Sequence, residues 1–303
     1  MRVAYTLEQC WHRVPGGTAV AALRVATAML ERRDVDLLPV AGRHRHPPPS
    51  PWDPGLPVAQ LRLAAPWLYE TWLRLGWPKV ERGTGPVDVA HATTIIPCPS
   101  TAPLVVTIHD LAFRHEPEHF TKHGVRVFER SLERIRDHAA IVLCSSTATA
   151  DDCRAAGIDA SRLRVVPLGV DATQAAPADV DRVRVAHRLP ERFALFVGTV
   201  EPRKNLANLA AAIALLDEPL PLVVVGADGW GAAATGVEAQ FLGFVPQADL
   251  AALYAAAAVF CYPSLREGYG LPVLEAMAQG APVVTSAGTS TAEAAGGAAE
   301  LVD

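Results

Sequence analysis

The sequence predicts an α/β fold of two Rossmann-like, parallel-sheet domains, and three observations predict it. At 303 residues the chain is too long for one ordinary domain and suits two of roughly 150 each. Short apolar runs bounded by glycine and proline alternate with stretches of helical spacing, the pattern of βαβ units. Between 172 and 192 the apolar period fails and Ala, Pro and charge take over, as in a linker. The expected layout is a first domain at 1–172, a linker at 173–192 and a second domain at 193–303.

Composition narrows the class. Half the residues are apolar, enough for two sizeable cores. Residues 1–172 hold 20 basic against 18 acidic residues and 173–303 hold 7 against 14, so neither half carries the positive excess a nucleic acid requires. The longest apolar stretch, 250–265, is broken by Pro263 and falls short of the roughly 18 residues of a membrane span. Met1 leads directly into a strand pattern followed by Glu8, with no signal-type start. Five scattered cysteines without a Cys-x-x-Cys pair read as reduced thiols. Together these predict a cytoplasmic protein with no transmembrane segment.

In chain order, residues 2–8 read as a strand, 12–18 as a turn, 19–33 as a helix and 35–40 as the next strand. The turn lacks Gly-x-Gly-x-x-Gly, and no acidic residue suitably ends the second strand, so a dinucleotide site is not expected. Gly16 and Gly17 leave two readings open, a loop that lets backbone approach a ligand phosphate and a plain βα turn. Four of six tryptophans fall between Trp52 and Trp77. Core is the favoured reading of the stripe at 66–77, with an acceptor-binding lip and a peripheral membrane contact as alternatives. Further strands are expected at 87–91 and 104–108. The second ends at His109, and the carboxyl end of a buried strand is where open α/β sheets bind ligands. His115-Glu116-Pro117-Glu118-His119 has the zinc-protease spacing, but that pattern needs a continuous helix and Pro117 argues against one. A helix at 124–137, a strand at 140–145, a helix capped by Ser146 and a strand at 164–168 complete the first domain.

The second series places strands at 193–197, 222–225, 239–242, 259–262 and 282–285, with helices at 205–216, 247–257 and 271–279. Gly198 to Asn205 follows its first strand and carries the adjacent cations Arg203 and Lys204. Arginine can grip two phosphate oxygens and lysine supplies a point charge. A cation pair at a helix start is disfavoured by the dipole, which points to an anionic guest. Farther on, Glu267-Gly268-Tyr269-Gly270-Leu271 runs through a glycine turn into a helix, a cradle of backbone N–H groups suited to phosphate. Glu267 and Glu275 flank it. Carboxylates beside a phosphate repel it unless each reads a hydroxyl, which describes a sugar nucleotide.

These residues resemble those of retaining glycosyltransferases of family 4 with the GT-B fold, nearest to bacterial mannosyltransferase-like members. The resemblance rests on Pro15-Gly16-Gly17, the segments 106–111 and 165–171, Gly198 to Asn205, the Glu267–Glu275 pair and the run from Thr289 to Ala298. It implies two domains facing across a cleft, the first binding a hydroxyl acceptor and the second a nucleotide-diphosphate sugar such as GDP-mannose or UDP-glucose. It implies that Arg203 and Lys204 hold the diphosphate with the amides at Tyr269, Gly270 and Leu271. Glu275 binds ribose on this reading, and Glu267 and His109 contact the donor sugar. No metal or other cofactor is expected, which suits the two Asp-x-Asp matches, 34–36 before a strand and 179–181 in the linker. Relatives usually continue beyond Asp303, so the chain reads as truncated within its second domain. That gives the alternative of a silent nucleotide-sugar binder or partner-dependent protein. An unrelated nicotinamide enzyme is the third reading, and the missing glycine fingerprint counts against it.

Overall fold

The structure, a computed structural model, describes residues 1–12, 15–227 and 236–303. Residues 13 and 14 of the expected turn lie outside the described residues. The chain divides into two compact units, Met1–Pro167 and Leu168–Asp303.

The first unit runs β1 (Arg2–Thr6), α1 (Gly16–Leu30), β2 (Asp36–Ala41), β3 (Ala59–Gln60), α2 (Trp67–Leu75), α3 (Glu81–Thr84), β4 (Val89–Ala92), β5 (Leu104–Ile108), α4 (Ala112–His115), α5 (Lys122–His138), β6 (Ala139–Cys144), α6 (Thr147–Ala155) and β7 (Leu163–Val165). Its sheet has the order β3-β2-β1-β4-β5-β6-β7, and its pairings are parallel. Successive side chains of a strand face opposite ways. In β1, Val3 and Tyr5 join Ala19, Ala22 and Ala26 of α1 in one apolar layer. Ala4 instead joins the layer built from β4, β5, β6 and Leu132 and Ile135 of α5. Both faces are therefore covered, as a parallel sheet requires. Ser146 caps α6 as expected, its Oγ accepting from the Thr149 N–H at 3.1 Å.

The tryptophan stripe divides. Trp72 is core, 3% exposed, and its Nε1 donates to the Pro78 carbonyl, whereas Trp67 is 71% exposed. The His-x-x-x-His segment does not form one helix. α4 ends at His115 and a 3₁₀ turn covers Pro117–His119, so His115 pairs with Asp152 and His119 with Glu116, each at 2.9 Å.

The second unit runs α7 (Pro177–Ala186), β8 (Ala194–Val197), α8 (Leu206–Ala214), β9 (Leu222–Val225), β10 (Gln240–Gly243), α9 (Gln247–Ala256), β11 (Val259–Tyr262), α10 (Leu271–Ala278), β12 (Val283–Ser286), α11 (Ser290–Ala295) and β13 (Glu300–Val302). Its order is β10-β9-β8-β11-β12-β13, again with parallel pairings. One expectation fails here. The stretch 173–192, read as a linker, carries α7, which packs on α9 and buries Val183 completely. Arg184 reaches the Ala256 carbonyl at 2.7 Å and Arg182 meets Asp249 at 2.8 Å. Val180 and Val183 are its apolar contacts with the core, too few to register as a period.

Candidate active site

Order in the second sheet reverses between β8 and β11. At such a reversal the connections leave in opposite directions, and a crevice opens beyond the carboxyl ends of the strands. Arg203 and Lys204 lie just past β8 in a 3₁₀ turn, Pro202–Lys204, and Glu267 lies just past β11. Two bonds stitch the loops together. The Leu265 N–H donates to the Arg203 carbonyl at 2.8 Å, and Arg203 Nη1 donates to the Arg266 carbonyl at 2.9 Å.

The charged groups interlock. Glu267 accepts from Lys204 Nζ through Oε1 at 2.5 Å and faces Arg203 Nη1 through Oε2 at 3.2 Å. Arg203 Nε meets Glu201 Oε1 at 2.7 Å, and Lys204 also donates to the Tyr262 hydroxyl. Glu201 is 3% exposed and Lys204 6%. Burial alone would raise the Glu267 pKa, but Lys204 and Arg203 outweigh it and hold the carboxyl at about 2. Burial pushes Lys204 below its ordinary value, against the pull of Glu267. Two cations and two carboxylates thus balance within one buried cluster.

The glycine turn sits beside this cluster. Gly270 caps α10 with φ 102°, and a Cβ there would lie 2.8 Å from Thr291 Cγ2. Only glycine fits. Ser290 Oγ donates to the Glu267 carbonyl at 2.6 Å, so the start of α11 braces the turn from below. The first turn of α10 brings the positive end of its dipole to Tyr269, Gly270 and Leu271. Glu275 lies on the same helix and accepts from the Tyr254 hydroxyl at 3.2 Å.

Of the predicted residues, the fold brings Arg203, Lys204 and Glu267 into contact and sets Gly268, Tyr269, Gly270, Leu271 and Glu275 along the turn and helix that follow. Gly16, Gly17 and His109 belong to the first unit. Gly16 and Gly17 open α1, Gly16 with φ 61° and open space where a Cβ would stand. His109 follows β5, and its Nε2 donates to the Thr93 carbonyl at 3.2 Å. Its own carbonyl accepts from Ser145 Oγ and Thr149 Oγ1, both at 3.0 Å. Burial lowers its pKa, against the opposing pull of Asp110 and Thr93. A neutral ring donating through Nε2 presents Nδ1 as an acceptor, suited to a hydroxyl.

Sequence reasoning missed Glu201, Tyr262, Tyr254 and Ser290. Glu201 could have been found, since a cation pair past a strand end invites a nearby counter-charge. The tyrosines could not, because Tyr262 meets Lys204 across 58 positions and Tyr254 meets Glu275 across 21. No group of three or more His, Cys, Asp or Glu among the described residues is placed to hold a metal. The two Asp-x-Asp matches are engaged elsewhere: Asp34 with Arg32, Asp36 with Arg2 and Asp179 with Arg182.

Two family models match the chain, Glycosyltransferase Family 4 over residues 15–174 and Glycosyl transferases group 1 over 178–299. The O-antigen chain mannosyltransferase B of Escherichia coli is 37% identical over 218 residues, which is 66% of this chain and 57% of that protein. The D-inositol 3-phosphate glycosyltransferase of Salinispora tropica is 39% identical over 157 residues, 43% of this chain and 33% of that protein. The matched regions thus span less than two thirds of either relative. Anabaena Alr3699/HepE in complex with UDP-glucose superposes with a TM-score of 0.72 at 20% identity, covering 100% of this chain and 85% of that one. WaaG, a glycosyltransferase involved in lipopolysaccharide biosynthesis, gives 0.70 at 17% identity, covering 100% and 86%. At these identities the two structures share the fold.

Proposed function

The chain belongs to glycosyltransferase family 4, and on that premise we propose that it moves a hexosyl group from a nucleotide-diphosphate sugar to a hydroxyl acceptor, with retention at the anomeric carbon. The observation that carries the proposal is the buried cluster of Arg203, Lys204, Glu201 and Glu267 at the strand-order reversal, beside the Gly268–Gly270 turn. As the bond to the sugar breaks, negative charge grows on the departing diphosphate. Fixed cations and amides aimed at that charge stabilise it without reorganising. Glu201 and Glu267 hold the cations in place beforehand, so the cost of arranging them falls on folding rather than on the reaction.

Glu267 therefore has two tasks on this reading, clamping the cations and contacting the donor sugar. His109 offers Nδ1 to a sugar hydroxyl, Gly16 and Gly17 allow backbone to approach the diphosphate, and Glu275 accepts from ribose. No protein general base is named, because an oxygen of the donor phosphate can take the acceptor proton. No metal is needed where Arg203 and Lys204 supply the positive charge. Mannose from GDP-mannose is the first candidate, supported by the Escherichia coli mannosyltransferase relative, and glucose from UDP-glucose the second, supported by the HepE structural neighbour. The acceptor is a glycan, glycolipid or glycoside held by the first unit, and no nucleic acid takes part. The working compartment is the cytoplasm, in keeping with five buried free cysteines. Among the described residues no helix is long and apolar enough to cross a membrane.

The test is incubation of the purified protein with labelled GDP- and UDP-sugars and a mixed acceptor extract, with and without EDTA. Transfer unaffected by the chelator is the expected result. Tight binding without transfer would favour the silent-binder reading instead.

A further inference from the structure

Glu275 is held from the protein side by a group that no sequence motif marks. Tyr254 lies in α9 and is 1% exposed. Its ring stands edge-on to Phe260 of β11, with centroids 5.2 Å apart and planes at 82°, so the core fixes where its hydroxyl can point. That hydroxyl donates to Glu275 Oε2 at 3.2 Å. Burial, and then the Glu275 charge, raise the phenol pKa well above its ordinary value. The group therefore stays protonated and acts as a donor near neutral pH. Glu275 itself is half-buried on α10, past the glycine turn.

A carboxylate only accepts hydrogen bonds, so its guest must donate. A ribose offers hydroxyls at both the 2′ and 3′ positions, whereas a 2′-deoxyribose offers one. Where a site is built around a substrate hydroxyl, the analogue lacking it leaves the site's own polar group unpaired, and discrimination follows. A carboxylate free to swing can turn toward water and lose that selectivity. One pinned by a rigid phenol cannot.

We propose that Tyr254 is a positioning residue that sets Glu275 to read the ribose 2′-hydroxyl, so that the chain selects ribonucleoside diphosphate donors over 2′-deoxyribonucleoside diphosphate donors. The proposal rests on the reading of Glu275 as the ribose ligand. It makes donors carried on deoxythymidine diphosphate poor substrates whatever sugar they bear.

The test is calorimetric titration of the full chain with UDP, GDP, dUDP and dGDP. For at least one base, wild type is expected to bind the ribonucleotide about tenfold or more tightly than its 2′-deoxy counterpart. Tyr254→Phe is expected to shrink that ratio to about threefold or less, by weakening the ribonucleotide and leaving the deoxynucleotide nearly unchanged. A merely structural loss would weaken both alike and keep the ratio, and that result overturns the proposal. Glu275→Ala is expected to bring the ratio to about one. Should Glu275→Ala keep the wild-type ratio, the ribose reading itself is wrong and the proposal falls with it. Should Glu275→Ala lose the ratio while Tyr254→Phe keeps it, the ribose reading stands and only the role of Tyr254 is wrong. Thermal melts accompany each variant. If Tyr254→Phe does not fold, Glu275→Asp replaces it, drawing the carboxylate back from the phenol without altering the tyrosine. Its ratio must shrink likewise, and an unchanged ratio overturns the proposal.

Discussion

Lys204 and Glu267 form a buried ion pair, Nζ to Oε1 at 2.5 Å, that joins the loop after β8 to the loop after β11. The two residues meet where the strand order reverses. Each is held by a further group, Lys204 by Tyr262 and Glu267 by Arg203.

Removing the carboxylate strands a buried cation. Glu267→Ala is expected to destabilise the second unit by about 3–5 kcal/mol, the usual cost of breaking a buried pair from one side. Urea unfolding of wild type and variant measures it. A loss below about 1 kcal/mol, the scale of an exposed pair, would show that water reaches Lys204 freely.

The same pair sets a pH dependence. The Lys204 and Arg203 charges depress the folded pKa of Glu267 from the ordinary 4.5 to about 2. It therefore stabilises the fold above pH 4.5, and that contribution is lost as pH falls from 4.5 toward 2. The difference in unfolding free energy between wild type and Glu267→Gln is expected to shrink across that window. A difference that stays constant from pH 6 to pH 2.5 contradicts the shifted carboxyl.

Gly270→Ala tests the turn. A Cβ at φ 102° and 2.8 Å from Thr291 Cγ2 is expected to cost about 1–3 kcal/mol, the scale of a strained backbone site. Adding Thr291→Ser removes the methyl and should recover part of that cost, leaving the backbone strain. An unchanged melting temperature in the single variant would mean that the turn does not need glycine.

Val183→Ala probes the helix that the sequence hid. Val183 is fully buried in the second unit's core, so truncation is expected to cost about 1–3 kcal/mol. A surface-scale effect within about 0.5 kcal/mol would restore the reading of that stretch as a linker.

That helix shows where legibility ends. The sheet strands are readable because runs such as Ala194–Val197 and Leu222–Val225 are continuously apolar, as strands buried on both faces are. α7 presents two valines to the core amid alanine and charge, and its burial depends on α9, which lies far along the chain. The site divides in the same way. Arg203, Lys204, Glu267 and Gly270 are chemically unusual where they stand and could be picked out locally. Tyr254 and Tyr262 read as ordinary apolar residues of a helix and a strand, and only the fold shows what their hydroxyls touch.

On the proposed mechanism Arg203 and Lys204 carry the charge of the departing diphosphate. The most direct measurement is the rate of nucleoside diphosphate release from GDP-mannose and UDP-glucose by wild type, Arg203→Ala and Lys204→Ala at saturating donor. Wild type is expected to turn over one donor, and each variant to fall by roughly 100-fold or more, the scale of a lost oxyanion contact. Variants that fold and turn over near the wild-type rate would contradict it.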